Sequence, residues 1–492
     1  MAISQPPRVT LYRLIRFLVV ACSALGAAGN SPMHKIRLHM KNSTPSFYNL
    51  AWRWHFYAGL FVIPFMIMLS LTGIIYLFKP QLDQLMYADL LQVEASGPPL
   101  SADEMLGRVR AVYPQGSIGK YLPPADANSS AQFVVKVGER TRTVFVDPYQ
   151  GAILGTQDTR NNLQALARAV HSDLLIGTPG DRLIELAAGW GVVLVVSGLY
   201  LWWPRGRGAG VLWPRLSAGG RLFWRDLHAV TGFWSALLLL FMLLTGMTWT
   251  GFWGKQFAGA WNQFPAAMWD QVPTSDRQAG ELNLSHKQTV PWALENTPLP
   301  ESDPHAAHNG GAAPASTANP TVGLQQVVDI ASERGVHPGY SISFPSTPTG
   351  VYTISVFADD PRNDATLHVD QYSGAVLADV RWADYGLAAR AVESGVMLHQ
   401  GKLYGLPHQL FILFVCLMIL LSSVSGLIMW WKRRPSGSLG VPPLRHDLPR
   451  WKVGVAIMIG LGVLFPLVGA SLLAIWALDF LLLSRLASRR LA

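Results

Sequence analysis

Four apolar runs, at about 56–78, 183–203, 229–253 and 406–431, are each long enough to cross a hydrocarbon core as a helix, which takes about 20 residues. No soluble fold buries four such runs at this length, and the composition agrees: half of the 492 residues are hydrophobic and only 14% are charged. A soluble enzyme or a nucleic-acid binder is thereby excluded. A fifth apolar stretch, 453–483, is too long for one untilted span and contains Pro466 and Gly469, so a bent helix or a tight hairpin is expected there. Whether the chain crosses five or six times stays open at this level.

The basic residues set the orientation. Residues 1–54 carry seven Lys and Arg and no acid, loop 204–226 carries five against Asp226, and loop 432–452 carries six against Asp447. With Arg485, Arg489 and Arg490 of the tail, this share of the chain balances at +19 and the remainder at −10, so the net +9 is a topological signal. The three basic segments are expected in the cytoplasm and the long connections, 79–182 and 254–405, in the periplasm of a bacterial inner membrane. Trp52, Trp54, Trp202, Trp203, Trp224, Trp430, Trp431 and Trp451 fall at the cytoplasmic ends of the spans, as an interfacial aromatic belt would. The stretch 11–28 resembles a signal sequence, but cleavage there would send the following basic residues to the wrong side; a true start at Met33 or Met40 is the competing expectation, and residues 1–45 are read as an extension.

The chain repeats itself. Trp54-His55, Gly59 and Leu71-Thr72-Gly73 in the first span recur as Leu227-His228, Gly232 and Leu244-Thr245-Gly246 in the third, all displaced by 173 residues. Val170-His171 before the second span, and its Ser197-Gly198 to Trp202-Trp203 end, recur as Leu398-His399 and Ser425-Gly426 to Trp430-Trp431, displaced by 228. Between spans, Asp147-Pro148-Tyr149-Gln150-Gly151 answers to Asp370-Gln371-Tyr372-Ser373-Gly374. Each long connection starts with a helical pattern, 101–113 and 321–334, and continues into alternating β segments. The Asp-x-Tyr-x-Gly element reads as a turn before the last strand. Segment 296–320, rich in Ala, Pro and Gly, reads as a flexible linker in which His305 and His308 are solvated.

Histidine beside a membrane span is costly unless it is paired or functional. The topology sorts four repeat-related histidines into two pairs, His55 with His228 at the cytoplasmic side and His171 with His399 at the periplasmic side. Imidazoles facing one another across a four-helix bundle make the axial-ligand geometry of a b-type haem. Gly59 and Gly232 follow their histidines by one turn. Gly73 and Gly246 follow by 18 residues, five whole turns on the same face and about 27 Å along the axis. Gly198 and Gly426 lie at the depth of the first pair. Together they leave two haem-sized clearances stacked across the bilayer. Arg53 and Arg225 are candidate forked partners for haem propionates, and His408 is an alternative ligand. The same residues also admit a packing reading, in which the glycines bring helices together and the histidines anchor their ends. Two cysteines, Cys22 and Cys416, are too few for a thiolate-ligated cluster, and the chain has neither a His-Glu-x-x-His metal site nor a Gly-rich nucleotide loop.

These motifs in this order resemble the PepSY-associated transmembrane family, from about Ser46 to the C-terminal helix. Trp54-His55 with Leu71-Thr72-Gly73, Val170-His171 with Gly177 and the Leu199 to Pro204 end, Leu227-His228 with Thr245-Gly246, and Leu398-His399 with Trp430-Trp431-Lys432 carry the likeness; the two Asp-x-Tyr-x-Gly-Ala turns resemble the PepSY domain. The resemblance implies an inner-membrane di-haem oxidoreductase that reduces ferric siderophores, or other ferric chelates, in the periplasm. It implies two b-type haems, one held by His55 and His228 and one by His171 and His399, fed by quinol or another donor, with membrane lipid as surroundings.

The expected fold is an α-helical integral membrane bundle of four core spans (46–79, 181–204, 225–253, 406–432) plus one or two C-terminal helices in 453–484. Two periplasmic α+β PepSY-like domains, 80–180 and 254–405, and two cytoplasmic loops, 205–224 and 433–452, complete it by internal duplication. The competing functional readings are a non-enzymatic membrane module whose PepSY-like domains bind a peptide or protein, and a transporter. The transporter is the weaker, because the first four spans lack broken helices and midplane charge.

Overall fold

A computed structural model describes residues 47–204, 210–261, 272–283, 289–303, 321–435 and 451–488. The N-terminal extension, His305 and His308 lie outside the described residues, as does most of loop 433–452. Four helices are long and apolar enough to cross a membrane: Phe47–Leu77, Thr178–Trp202, Gly220–Met247 and Leu406–Arg433. These are the four expected spans. Their hydroxyls are satisfied within their own helices, as apolar surroundings demand: Thr72, Thr231 and Thr245 donate to carbonyls four residues back, of Met68, Leu227 and Phe241, at 2.7–2.8 Å.

The chain forms two compact units, one of 1–67, 181–247 and 417–492, the other of 68–180 and 248–416. In the first unit, the stretch 453–483 resolves as a hairpin of helices Trp451–Leu464 and Pro466–Ser488. Pro466 opens the second helix, where a missing N–H costs nothing. Gly462 and Gly469 let the arms touch: a Cβ on Gly469 would stand 2.6 Å from the Gly462 Cα. The hairpin lies against the second span, with Phe465 and Val468 facing Gly189 and the Trp190 indole donating to Ser471 Oγ at 3.1 Å.

The second unit holds the strands β1 Ser117–Leu122, β2 Ala131–Val137, β3 Arg140–Val146, β4 Ile153–Asp158, β5 Thr274–Gln278, β6 Pro298–Pro300, β7 Ser341–Ser343, β8 Val351–Val356, β9 Ala365–Asp370 and β10 Val376–Arg381. The two segments expected as α+β domains, 80–180 and 254–405, join through their strands. β1 pairs antiparallel with β7, Lys120 opposite Ser343 and Tyr121 opposite Ile342, so eight strands run as one sheet in the order β10-β9-β8-β7-β1-β2-β3-β4. The physical reason is edge cover. Each four-stranded half would otherwise leave the backbone of β1 or β7 unpaired. Of the segment read as linker, Pro298–Pro300 is a strand paired to β5, and 304–320 lies outside the described residues.

Helices Ala102–Val112 and Leu324–Glu333 cover one face of this sheet with a single core, in which Met105, Val109, Val327 and Ala331 meet Phe133, Val144, Ile342, Ile354 and Leu367. The two helices also cap each other. Asp103 accepts from the backbone N–H of Leu324 (2.8 Å) and of Gln325 (3.2 Å), and the Gln325 side chain accepts from the N–H of Ala102 (2.7 Å). Gly323 precedes the second helix without a side chain of its own to cap it; a Cβ there would meet Asp103 Oδ2 at 2.8 Å. In the two Asp-x-Tyr-x-Gly turns, Asp147 and Asp370 each accept from the N–H groups two and three residues on, and Gly151 and Gly374 supply φ of +68° and +72°.

The opposite face carries cross-strand rows of polar side chains, Lys120–Ser343–Thr353–His368 and Ser341–Ser355–Thr366, all almost fully buried. Segment 279–302 and helix Leu387–Gln400 form a second apolar cluster beside it, around Trp292, Leu294, Val396 and Met397. Lys120 reaches that segment, donating to the Leu282 carbonyl (2.8 Å) and to Thr289 Oγ1 (2.6 Å). Asp103→Ala, which removes the borrowed cap from one helix in the presence of an intact sheet, is expected to cost about 1–2 kcal/mol and Asp103→Asn much less. Apparent Tm of the detergent-solubilised chain reads the difference.

Candidate functional site

The first unit brings His55 and His228 together. Their ring centres stand 6.2 Å apart with planes inclined at 68°. All four spans contribute to this place. His55 Nδ1 lies 3.1 Å from the Leu194 carbonyl and 3.1 Å from Ser197 Oγ, and Ser197 spends its own proton on Leu194 O. His228 Nδ1 lies 2.8 Å from the Ser422 carbonyl. A carbonyl only accepts, so Nδ1 carries the hydrogen in both rings and the lone pair sits on Nε2.

Beside each ring is a glycine of a returning span. A Cβ on Gly198 would stand 2.9 Å from His55 Cε1, and one on Gly426 3.1 Å from His228 Cε1. Leu194 and Ser422, like Gly198 and Gly426, are 228 residues apart. Gly59 and Gly232 face those same positions, a Cβ meeting Leu194 Cδ1 at 3.6 Å and Ser422 Oγ at 3.7 Å, so they pack span on span at ordinary contact. Arg225 is half exposed and held by Asp226 at 2.9 Å; fully buried Asp226 also takes a two-pronged pair from Arg215 at 2.6 and 3.0 Å. Arg53 sits on the first-span helix two residues before His55, and Gly246 near the end of the third.

The second unit brings His171 and His399 together. His171 ends helix Leu163–Asp173 and His399 ends helix Leu387–Gln400. Thr72 Oγ1 stands 2.9 Å from His171 Nδ1 and gives its own proton to the Met68 carbonyl, so here again Nδ1 carries the hydrogen. Gly73 faces the same ring, a Cβ there meeting Cε1 at 3.6 Å. Trp249 sets its ring edge-on to His399 at 5.7 Å. Burial pushes His171 down to about 4, against the pull of the Leu69 carbonyl; burial and then the charge of His171 push His399 down to about 3. Both rings are therefore neutral at neutral pH, the state that binds metal. His408 is buried at the start of the fourth span beside Tyr404, ring centres 5.8 Å apart, and among the described residues its Nδ1 has no hydrogen-bond partner.

The residues fit a porphyrin iron at the first pair. With Nδ1 of each ring bonded to a neighbouring span, the Nε2 lone pairs of His55 and His228 are the groups that would hold the iron. The Nδ1–H to carbonyl bonds are the supports that a ligating histidine uses to fix its tautomer. Among the described residues no cluster of three or more His, Cys, Asp or Glu is arranged to hold a bare metal ion.

A family model described as the PepSY-associated TM region matches residues 52–433. The chain belongs to that family. No curated protein matches it. The family match begins at Trp52 and ends at Arg433, so it spans all four helices and both histidine pairs.

Sequence reasoning found all four histidines and the glycines beside them, but not the groups that orient the rings. Backbone carbonyls such as those of Leu194 and Ser422 carry no side-chain signal, whereas Thr72 was visible in its motif and was given no role. The crowding at the first pair sets a contrast. Gly198→Ala is expected to cost roughly 1–3 kcal/mol, because its Cβ enters the His55 ring. Gly59→Ala, meeting only a leucine methyl at contact distance, is expected to leave the apparent Tm unchanged or slightly higher.

Proposed function

We propose that this membrane protein is a b-type di-haem oxidoreductase of the bacterial inner membrane, moving electrons to a ferric chelate on the periplasmic side. The observation that carries the reading is the His55–His228 pair, two rings 6.2 Å apart that would hold a haem iron, each with Nδ1–H committed to a neighbouring span and Nε2 left with its lone pair. His171 and His399, neutral and close together, are assigned the second haem. A b-type haem supplies reversible one-electron chemistry at its iron.

The chain's own residues do the rest. Leu194 O, Ser197 Oγ, Ser422 O and Thr72 Oγ1 hold the rings at fixed tautomer and orientation. Gly198, Gly426 and Gly73 leave room beside them. Apolar spans keep water from the rings, while the basic loops favour the cytoplasmic side for the His55–His228 end and the periplasmic side for the β-rich unit. Repetition at displacements of 173 and 228 accounts for two equivalent pairs in one chain. Arg53 and Arg225 are the candidate propionate partners for the first haem, Arg225 while also paired with Asp226. A ferric siderophore is the substrate that the family resemblance favours: reduction to Fe(II) weakens its hold on the metal and frees the iron. Quinol or a cytoplasmic reductant supplies the electrons.

Purified protein is expected to carry two haems with bis-histidine spectra. His55→Ala and His228→Ala should each remove one, and His171→Ala and His399→Ala the other, as read by pyridine haemochrome content and reduced-minus-oxidised absorption. Protein that folds and holds no haem returns the chain to the non-enzymatic module; two haems with no reduction of a ferric hydroxamate or catecholate panel would leave the electron acceptor elsewhere.

A further inference from the structure

Away from the histidines, the second unit buries two carboxyl groups that its packing does not require. Glu393, on helix Leu387–Gln400, is fully buried, and Asp364, immediately before β9, is 2% exposed. Each is tied by one oxygen: Glu393 Oε2 accepts from the Ala293 N–H at 3.0 Å and Asp364 Oδ1 from the Ala358 N–H at 2.9 Å. The other oxygens, Glu393 Oε1 and Asp364 Oδ2, have no hydrogen-bond partner among the described residues. Nor has the hydroxyl of Tyr385, itself only 6% exposed. The three groups are near one another: the turn 361–363 before Asp364 packs against both the helix that carries Glu393 and the turn 382–384 before Tyr385, and after burial the charges of Asp364 and Glu393 help to hold the Tyr385 proton on.

The charged surroundings do not neutralise two carboxylates. Lys402, about a third exposed, stands 3.9 Å from Asp359 and over the Phe357 ring, and its charge reaches both acids without a direct bond to either. Asp360 adds negative charge at Asp364, Glu295 adds it at Glu393, and Asp384 adds it at Tyr385. Arg168 faces Glu295 rather than the pair. Like charges in a dry site cannot both ionise.

We propose that Asp364 and Glu393 form a two-carboxyl proton-binding site that keeps at least one proton at neutral pH, with an occupancy that follows the electron held at the His171/His399 pair. Burial first, and then the Glu393 charge for Asp364 and the Glu295 charge for Glu393, push both carboxyls far above the ordinary range, in support of that geometry. The coupling to His399 is built into one helix: Glu393 precedes it by six residues, about 9 Å along the axis. On the other helix Arg168 lies one turn before His171 and faces Glu295, which faces Glu393. A unit charge about 10 Å away at an effective dielectric of about 20 changes proton affinity on the order of tenfold.

The proposal rests on the di-haem reading. An electron from quinol or another reductant, arriving at the His171/His399 pair, is matched by up to one proton drawn from water onto a carboxylate oxygen. When that electron passes to the ferric chelate, Fe(III) becomes Fe(II), and the carboxyl returns its proton as a chelating oxygen anion is freed to take one. The site thus supplies charge balance where iron leaves its ligand.

Two measurements test it on the full-length protein. Infrared spectra at neutral pH should show protonated carboxyl absorption that is reduced in Glu393→Gln and in Asp364→Asn, substitutions that keep the amide-accepting oxygens. In wild type, the midpoint potential of the haem that disappears in His399→Ala should fall as pH rises through the range of about 8 to about 9 in which the two carboxyls lose their protons. The steepest fall allowed is tenfold in the reduction equilibrium per pH unit, or 59 mV for one electron. That slope should flatten in Glu393→Gln, with the bis-histidine spectrum retained. A wild type without that absorption overturns the retained proton, and an unchanged slope in the variant overturns the coupling. Protein that binds no haem overturns the di-haem reading and the coupling together, and the infrared arm then decides the retained proton alone.

Discussion

A histidine ring packed between apolar helices must have both of its nitrogens accounted for, because an unsatisfied polar atom there has no water to turn to. In the first unit this requirement is met on one side by the protein. Nδ1–H of His55 goes to the Leu194 carbonyl and that of His228 to the Ser422 carbonyl. These carbonyls already accept within their own helices, and their second lone pair receives the ring. For the bond to form, the returning span must approach closely, which is the work of Gly198 and Gly426 beside the rings and of Gly59 and Gly232 against the facing turn. Small residues, span packing and ring orientation are therefore one arrangement. The packing reading and the ligand reading of the glycines, alternatives in the sequence, are compatible in the structure.

The four spans were legible because each is a long apolar run, and helices in lipid must satisfy their backbone internally. The first helix begins at Phe47, ahead of the apolar run at 56–78 and beside the expected start at 46, since interfacial residues through Trp52-Arg53-Trp54 continue a helix that hydropathy alone would end. The hairpin at 451–488 was marked by Pro466, yet a proline permits either a kink or a break. The contact that decides between them, Gly462 against Gly469, is tertiary. Likewise the helices and strands of both β-rich segments were visible in periodicity and turn chemistry, while their fusion into one sheet was not. It depends on the short β1–β7 pairing and on Asp103 reaching across to Leu324 and Gln325, and no local pattern announces an edge that will be covered by a partner 220 residues away.

The candidate residues divide the same way. His55, His228, His171 and His399 stood out because they recur at fixed displacements and because histidine is out of place beside lipid. Glu393 and Asp364 did not. Glu393 lies in a helical pattern where an acidic residue ordinarily faces water, and Asp364 in a Pro-Arg-Asn-Asp stretch that reads as a solvated turn. Only the covering of the sheet's polar face by segment 279–302 and helix Leu387–Gln400 takes them out of solvent.

Comparison of the two halves shows where repetition stops. At the displacement that relates His171 to His399, Glu393 corresponds to Ala165 and Lys402 to Leu174; at the displacement that relates Asp147 to Asp370, Asp364 corresponds to Thr141 and His368 to Phe145. Asp226 falls opposite Arg53 in the first span. The shared positions are those that any pair of ring-holding helices needs: histidine, the glycine beside it, and the carbonyl that orients it. The unshared ones are ionisable. A duplicated scaffold with identical halves would treat its two ends and its two sides alike, and electron flow across a membrane needs a direction. On the di-haem reading, Asp364 and Glu393 give the His171/His399 pair a proton partner, whereas the buried acid nearest the His55/His228 pair, Asp226, is held as a carboxylate partner by Arg215 and Arg225.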